Sequence, residues 1–166
     1  EMRSTGEVLG LADSFGLAFF KAEEAATPRL PTEGTVLISL ADKSRPAALE
    51  VGRAFAALGF RIRATQGTHA FFARHGVPAE PIPKLHEGRP NIVDGIMNRD
   101  IHLVINTPIG KQGQYDDSYI RKAAIKYKVP YVTTLAAALA SAKGIAAARA
   151  GRGAVKSLQE YHRDVR

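Results

Sequence analysis

Four short stretches of this chain combine hydroxyls, amides, a glycine and cations. They are Ala41-Asp42-Lys43-Ser44-Arg45-Pro46, Thr65-Gln66-Gly67-Thr68-His69, Lys84-Leu85-His86-Glu87-Gly88-Arg89-Pro90 and Asn106-Thr107-Pro108-Ile109-Gly110-Lys111. Hydroxyls and backbone N–H groups at a helix N-terminus, backed by Lys or Arg, are what a phosphate needs. Gly67 lets the backbone approach an anion closely. A helix opening at Thr68 directs the positive end of its dipole towards it. A lone Thr-x-Gly-Thr is weak, because both residue types are common in turns. The weight lies in four such stretches reaching one place.

Other candidates read more plainly. His86-Glu87 resembles half of a metal or acid/base pair, but a turn held by polar side chains accounts for it better. His75 and His102 have no partner at ligand spacing and read as surface or cap residues. Asp116-Asp117-Ser118 reads first as the cap of a following helix, and it could also face a ligand. Arg149, Arg152, Lys156, Arg163 and Arg166 read as a solvated face. No Walker motif, no Gly-x-Gly-x-x-Gly and no Ser/His/Asp order is present.

The elements must bring the four stretches together. Thr35 to Leu40 is a β-branched, apolar run and reads as a buried strand. Ser44 to Leu58 reads as a helix with Pro46 in its first turn. Ala48, Val51, Phe55 and Leu58 fall on one face of it. Arg61 to Thr65 is a second strand and Thr68 to Arg74 a short helix. Val77 to Pro83 holds three prolines and reads as a weak or edge strand. Pro90 to Asn98 reads as a helix and Leu103 to Asn106 as another buried strand. Asp116 to Tyr127 is a helix, Tyr131 to Thr133 a strand and Leu135 to Ala150 an Ala-rich helix. Ala154 to Val165 has weak helical periodicity.

Strands alternating with helices argue an α/β fold, a mainly parallel sheet of about five strands covered on both faces. Ligands of such sheets bind beyond the carboxyl ends of the strands, where the four stretches fall. Before the first strand, Phe15, Leu17, Ala18, Phe19, Phe20 and Ala22 suggest an apolar helix capped by Ser14. Two prolines and a glycine between Thr27 and Gly34 then make a linker. The expected division is residues 1–30 as the end of a preceding unit and 31–166 as the α/β domain.

The 166 residues are 45% hydrophobic and 23% charged, which excludes a disordered chain. There is no cysteine, so disulfides, thiolate metal sites and a Cys nucleophile are excluded; a reducing cytosol fits. No apolar run is long enough to span a membrane, and the first residues do not form a signal peptide. The opening Glu1-Met2-Arg3-Ser4 reads like a cut inside a longer protein. A net charge of +7 invites anionic partners, from nucleic acid to phosphorylated small molecules. Aromatics are only 7% with no Trp, thin for stacking on bases, so nucleic acid is not expected as a partner.

The residues also carry a family resemblance. Ala64-Thr65-Gln66-Gly67-Thr68, Lys84-Leu85-His86-Glu87-Gly88-Arg89-Pro90, Ile105-Asn106-Thr107-Pro108 and Tyr131-Val132-Thr133-Thr134-Leu135 resemble the methylglyoxal-synthase-like, C-terminal regulatory domain of carbamoyl phosphate synthetase large subunits. The opening Glu1-Met2-Arg3-Ser4-Thr5-Gly6-Glu7-Val8-Leu9-Gly10 is similar to the last part of the preceding ATP-binding synthetase domain.

The resemblance implies a non-catalytic domain in a cytoplasmic, oligomeric ligase. That parent enzyme uses ATP with Mg or Mn, bicarbonate and glutamine-derived ammonia from a glutaminase small subunit. It feeds pyrimidine and arginine synthesis. The domain itself needs no cofactor and binds the nucleotides UMP and IMP, bordering a site for ornithine. Carried over by position, the nucleotide and its phosphate would meet Arg45, Thr65, Gly67, Thr68, Lys84, Asn106, Thr107 and Ser118. Tyr131 and Thr133 match the positions that contact ornithine. Arg45 stands where the family usually has Lys and adds a bidentate fork. Pro108 stands where some members have a second Thr, so one donor is lost. A methylglyoxal-synthase-type lyase acting on dihydroxyacetone phosphate is the alternative. That enzyme's Asp-bearing loop and its His after the first strand are not evident here, and Glu87 is the only substitute base.

Overall fold

A six-residue run with five side chains buried, Thr35–Leu40, becomes the central strand β1 of a computed structural model. The model describes residues 5–26, 29–41, 44–107, 110–151 and 155–163, without the side chains of 45, 46 and 110–115. Its elements are α1 (Phe15–Ala25), β1, α2 (Arg45–Ala57), β2 (Arg61–Ala64), α3 (Gln66–Arg74), β3 (Glu80–Pro81), α4 (Ile92–Met97), β4 (Leu103–Thr107), α5 (Gly110–Tyr127), β5 (Tyr131–Val132), α6 (Leu135–Arg149) and α7 (Leu158–Arg163).

The strands form one sheet in the order β3-β2-β1-β4-β5. Every pairing is parallel. Period-2 alternation sends neighbouring side chains to opposite faces. Val36, Ile38 and Leu40 of β1 join Leu103 and Ile105 of β4 on one face, under Val51 and Phe55 of α2, Phe72 of α3 and Ile145 of α6. Leu37 and Val104 face the other way, against Ile92 and Ile96 of α4 and Ile120 and Ala124 of α5. The result is three layers, with helices on both faces as the alternation of elements requires. Phe55 and Phe72 are the largest fully buried side chains, and truncating either to Ala costs about 3–5 kcal/mol.

Helix α1 lies outside α6. Ser14 caps it, accepting the Leu17 N–H at 3.4 Å. A Cβ on Gly16 would sit 3.0 Å from the Lys143 carbonyl, and one on Gly144 3.0 Å from the Gly16 carbonyl. The two helices cross at these glycines, where small residues let backbones approach.

Two helices begin earlier than expected. α3 opens at Gln66, so Gly67 lies in its first turn and Thr65 precedes it. α5 opens at Gly110, so Asp116 and Asp117 lie inside the helix rather than capping it. Residues 110–115 carry two glycines and no apolar period, and nothing in them marks a helix. α4 is shorter than expected. Asn91 caps it through a capping box with Asp94, and this side-chain pair ends the preceding loop after Pro90. β5 stops at Val132, leaving Thr133 exposed beyond it.

Candidate functional site

In an all-parallel sheet every strand ends at the same edge. Leu40 pairs with Thr107 and Ser39 with Asn106, so the ends of β1 and β4 are level. Ala64 pairs with Ile38 on the other side of β1. Thr65, Asn106, Thr107 and Thr133 therefore share one rim, and Lys84 follows β3 at the same edge.

Side-chain hydrogen bonds fasten this rim from both sides of β1. Thr68 is fully buried, and its hydroxyl accepts the Leu40 N–H at 3.1 Å. Thr65 donates to the same hydroxyl at 3.4 Å. Thr107 accepts the Ala41 N–H at 3.4 Å. The chain leaving β1 thus runs between two hydroxyl side chains, towards Arg45 at the start of α2. The side chain of Arg45 lies outside the described ones, as do Asp42, Lys43 and Pro108 altogether.

The loop after β3 closes on itself. Glu87 accepts the Lys84 backbone N–H at 2.8 Å. That is the polar turn expected of His86-Glu87. The half-buried Lys84 ammonium has no partner among the described residues. His86 lies 3.6 Å from Asp116 Oδ1, beyond hydrogen-bond reach. That oxygen is buried with no hydrogen-bond partner among the described residues. Between this loop and α5, Leu85, His86, Gly88, Arg89, Asn91, Val93 and Tyr119 line a depression of ≈ 460 Å³. A larger one, ≈ 760 Å³, opens at the opposite edge around Arg61, Arg63, Arg99 and His102, away from the candidate residues. There His102 accepts the Thr35 N–H through Nδ1 at 3.1 Å, a cap role in keeping with its sequence.

Asn106 and Tyr131 meet directly. Asn106 Nδ2 lies 2.6 Å from Tyr131 Oη and 3.0 Å from Asp117 Oδ1. Tyr131 donates its own hydrogen to Asp117. Arg121 pairs with the other Asp117 oxygen at 3.1 Å and sits 5.0 Å over the Tyr131 ring. Burial pushes the Tyr131 hydroxyl well above the ordinary tyrosine pKa. Its hydrogen bond to the Asp117 carboxylate pushes the same way, while Asn106 and Arg121 oppose. Tyr131 therefore stays a protonated donor. Ser118, next along α5, is half-buried, and Thr133 is exposed.

The structure brings Thr65, Thr68, Asn106 and Thr107 to one edge and sets beside them Asp117, which the sequence offered first as a cap and also as facing a ligand, together with Arg121. The i,i+4 spacing of Asp117 and Arg121 was the available signal.

The chain is similar to known proteins. The MGS-like domain family matches residues 47–133. The chain is 49% identical over its whole length to a carbamoyl phosphate synthase large chain of Gemmatimonas aurantiaca and covers 15% of that protein. It is 48% identical over 99% of its length to the large chain of Archaeoglobus fulgidus, again 15% of that protein. It is 48% identical over 98% of its length to the C-terminal section of the large chain of Aquifex aeolicus, of which it covers 31%. The chain thus spans under a third of these relatives. A methylglyoxal synthase from Elizabethkingia anophelis shares the fold, with a TM-score of 0.54 at 16% identity, over 80% of this chain and 92% of that one. The α/β architecture read from the alternating elements is the one found.

Proposed function

The chain belongs to the MGS-like domain family, and from that premise we propose that it is the effector-binding, regulatory part of a carbamoyl phosphate synthase large chain. It binds a nucleoside monophosphate, UMP or IMP, at the carboxyl edge of its sheet. It does no chemistry of its own there. The observation that carries this reading is the gathering of Thr65, Lys84, Asn106 and Thr107 from separate strand ends onto one rim. Hydroxyls, an amide, an ammonium with no partner among the described residues and the N-terminus of α3 together suit a phosphate.

In this reading Thr65, Gly67, Lys84 and Thr107 meet the phosphate, with Arg45 reaching in from the start of α2. Thr68 holds the rim in shape. Asn106 and Ser118 close the pocket from β4 and α5. Tyr131 and Thr133 face an ornithine site at the border with the synthetase part. Residues 1–30 belong to the end of that ATP-binding part, docked on this domain through α1. The parent enzyme is a cytoplasmic ligase using ATP with Mg or Mn, working with a glutaminase subunit.

Calorimetric titration with UMP, IMP and inorganic phosphate tests the reading. The expected result is saturable nucleotide binding, tighter than phosphate. Lys84→Ala should weaken it about tenfold, the value of one charge-assisted hydrogen bond. Unchanged affinity in a folded Lys84→Ala variant would remove Lys84 from the site. Phosphate release from dihydroxyacetone phosphate would show a lyase instead.

A further inference from the structure

Both backbone polar groups of Lys84 are held by one residue. The Lys84 N–H donates to the Glu87 carboxylate at 2.8 Å. The Glu87 N–H donates to the Lys84 carbonyl at 3.1 Å. Together the two bonds close the turn that carries Leu85 and His86.

The loop is anchored on either side of that turn. Before it, the Pro83 carbonyl accepts the Ile92 N–H at 3.2 Å and so ties the chain leaving β3 to the start of α4. After it, Asn91 donates through Nδ2 to the Gly88 carbonyl at 3.2 Å, and Arg89 pairs with Asp94 at 2.8 Å. Asn91 and Asp94 are joined in the capping box of α4. What stays free at Lys84 is its half-buried ammonium, which has no partner among the described residues.

A lysine carries its charge on a flexible stem. It meets an anion best when its backbone is placed beforehand, because the ordering cost is then met by the fold and not by binding. Glu87 has only acceptors to offer, so it cannot bond a phosphate dianion. Its charge alone would repel one. Its use to an anion site therefore lies in the backbone it holds.

We propose that Glu87 is a positioning residue of the anion site: it pins the backbone of Lys84 and so presents the ammonium to a phosphate at the rim. This rests on the effector reading for the identity of the ligand. Glu87 acts through Lys84 and does not touch the phosphate.

Glu87→Gln and Glu87→Ala, compared with each other, isolate the bond. Both remove the charge, and only Gln keeps an oxygen that can accept the Lys84 N–H. In calorimetric titrations the Ala variant should bind UMP and inorganic phosphate about fivefold more weakly than the Gln variant, the worth of one net hydrogen bond. With Lys84→Ala already present the two should bind alike, since the effect runs through that side chain. A general loosening of the fold would persist without the Lys84 ammonium, so the cycle separates the two causes. Melting curves establish that each variant is folded. Equal binding by folded Glu87→Gln and Glu87→Ala overturns the positioning role and leaves the effector reading in place, and so does a difference that survives Lys84→Ala. UMP binding by none of the forms, wild type included, overturns the effector reading and the positioning role with it. Phosphate release from dihydroxyacetone phosphate that Glu87→Gln abolishes would make Glu87 a base and overturn both.

Discussion

The Thr68 hydroxyl, in the first turn of α3, accepts the backbone N–H of Leu40, the last residue of β1, at 3.1 Å. The two residues are buried and belong to elements separated by a whole helix. One side chain thereby joins a helix N-terminus to the neighbouring strand end and fixes the spacing of the rim. Thr68→Val keeps the shape and deletes the acceptor. It leaves a buried N–H unpaired, which costs about 1–3 kcal/mol. Thr68→Ser should lose far less. Urea unfolding of the pair measures the difference, and equal midpoints would show that Leu40 finds another acceptor.

Tyr131 makes stability fall in alkali. Its folded-state pKa lies above the ordinary value of 10.0, chiefly through burial. Near and above that ordinary value the unfolded chain loses the phenolic proton while the folded chain keeps it. The unfolded state then binds fewer protons, so stability falls as pH rises. Below that range the group contributes no slope. The wild-type chain should lose more stability than Tyr131→Phe between pH 9 and 11, the window of about one unit either side of an ordinary tyrosine. Parallel losses in the two forms would mean that Tyr131 ionises freely.

The crossing of α1 and α6 leaves little room beyond a hydrogen at Gly16 and Gly144. Gly144→Leu would drive a side chain into the Gly16 carbonyl, where even a Cβ comes to 3.0 Å. Such overpacking costs about 1–3 kcal/mol. Helix α1 touches the main core only through Phe19 and Phe20, both partly buried, so the expected damage centres on α1. Limited proteolysis should cut the variant within residues 15–25 while a fragment holding the sheet survives. Unchanged cleavage would show that α1 shifts to make room.

Much of the fold was legible in the chain. β1 and β4 announce themselves as short apolar, β-branched runs, and α2 by its apolar face with Pro46 in the first turn. Their alternation implied a parallel sheet, and a parallel sheet implied one functional edge. The rim stretches were read from their hydroxyls, amides and cations, from their places after the strands and from the family resemblance. The start of α5 was not legible, because Gly110 to Tyr115 has neither an apolar stripe nor a capping pattern. Those residues are helical through their context, and propensity is readily overridden there.

The sequence by itself determined the elements and their order, because hydrophobic period, proline and glycine act within a few residues of chain. It also determined which residue types would reach the carboxyl edge. Tertiary structure decided what those residues are free to do. Asp116 and Asp117 are neighbours of the same type, yet among the described residues one buries an oxygen with no hydrogen bond and the other collects three donors. Asn106 reads as a donor for a ligand, and it also bonds partners 11 and 25 residues away. Hydrogen-bond commitment depends on direction and distance between elements, and no local pattern in the chain encodes either.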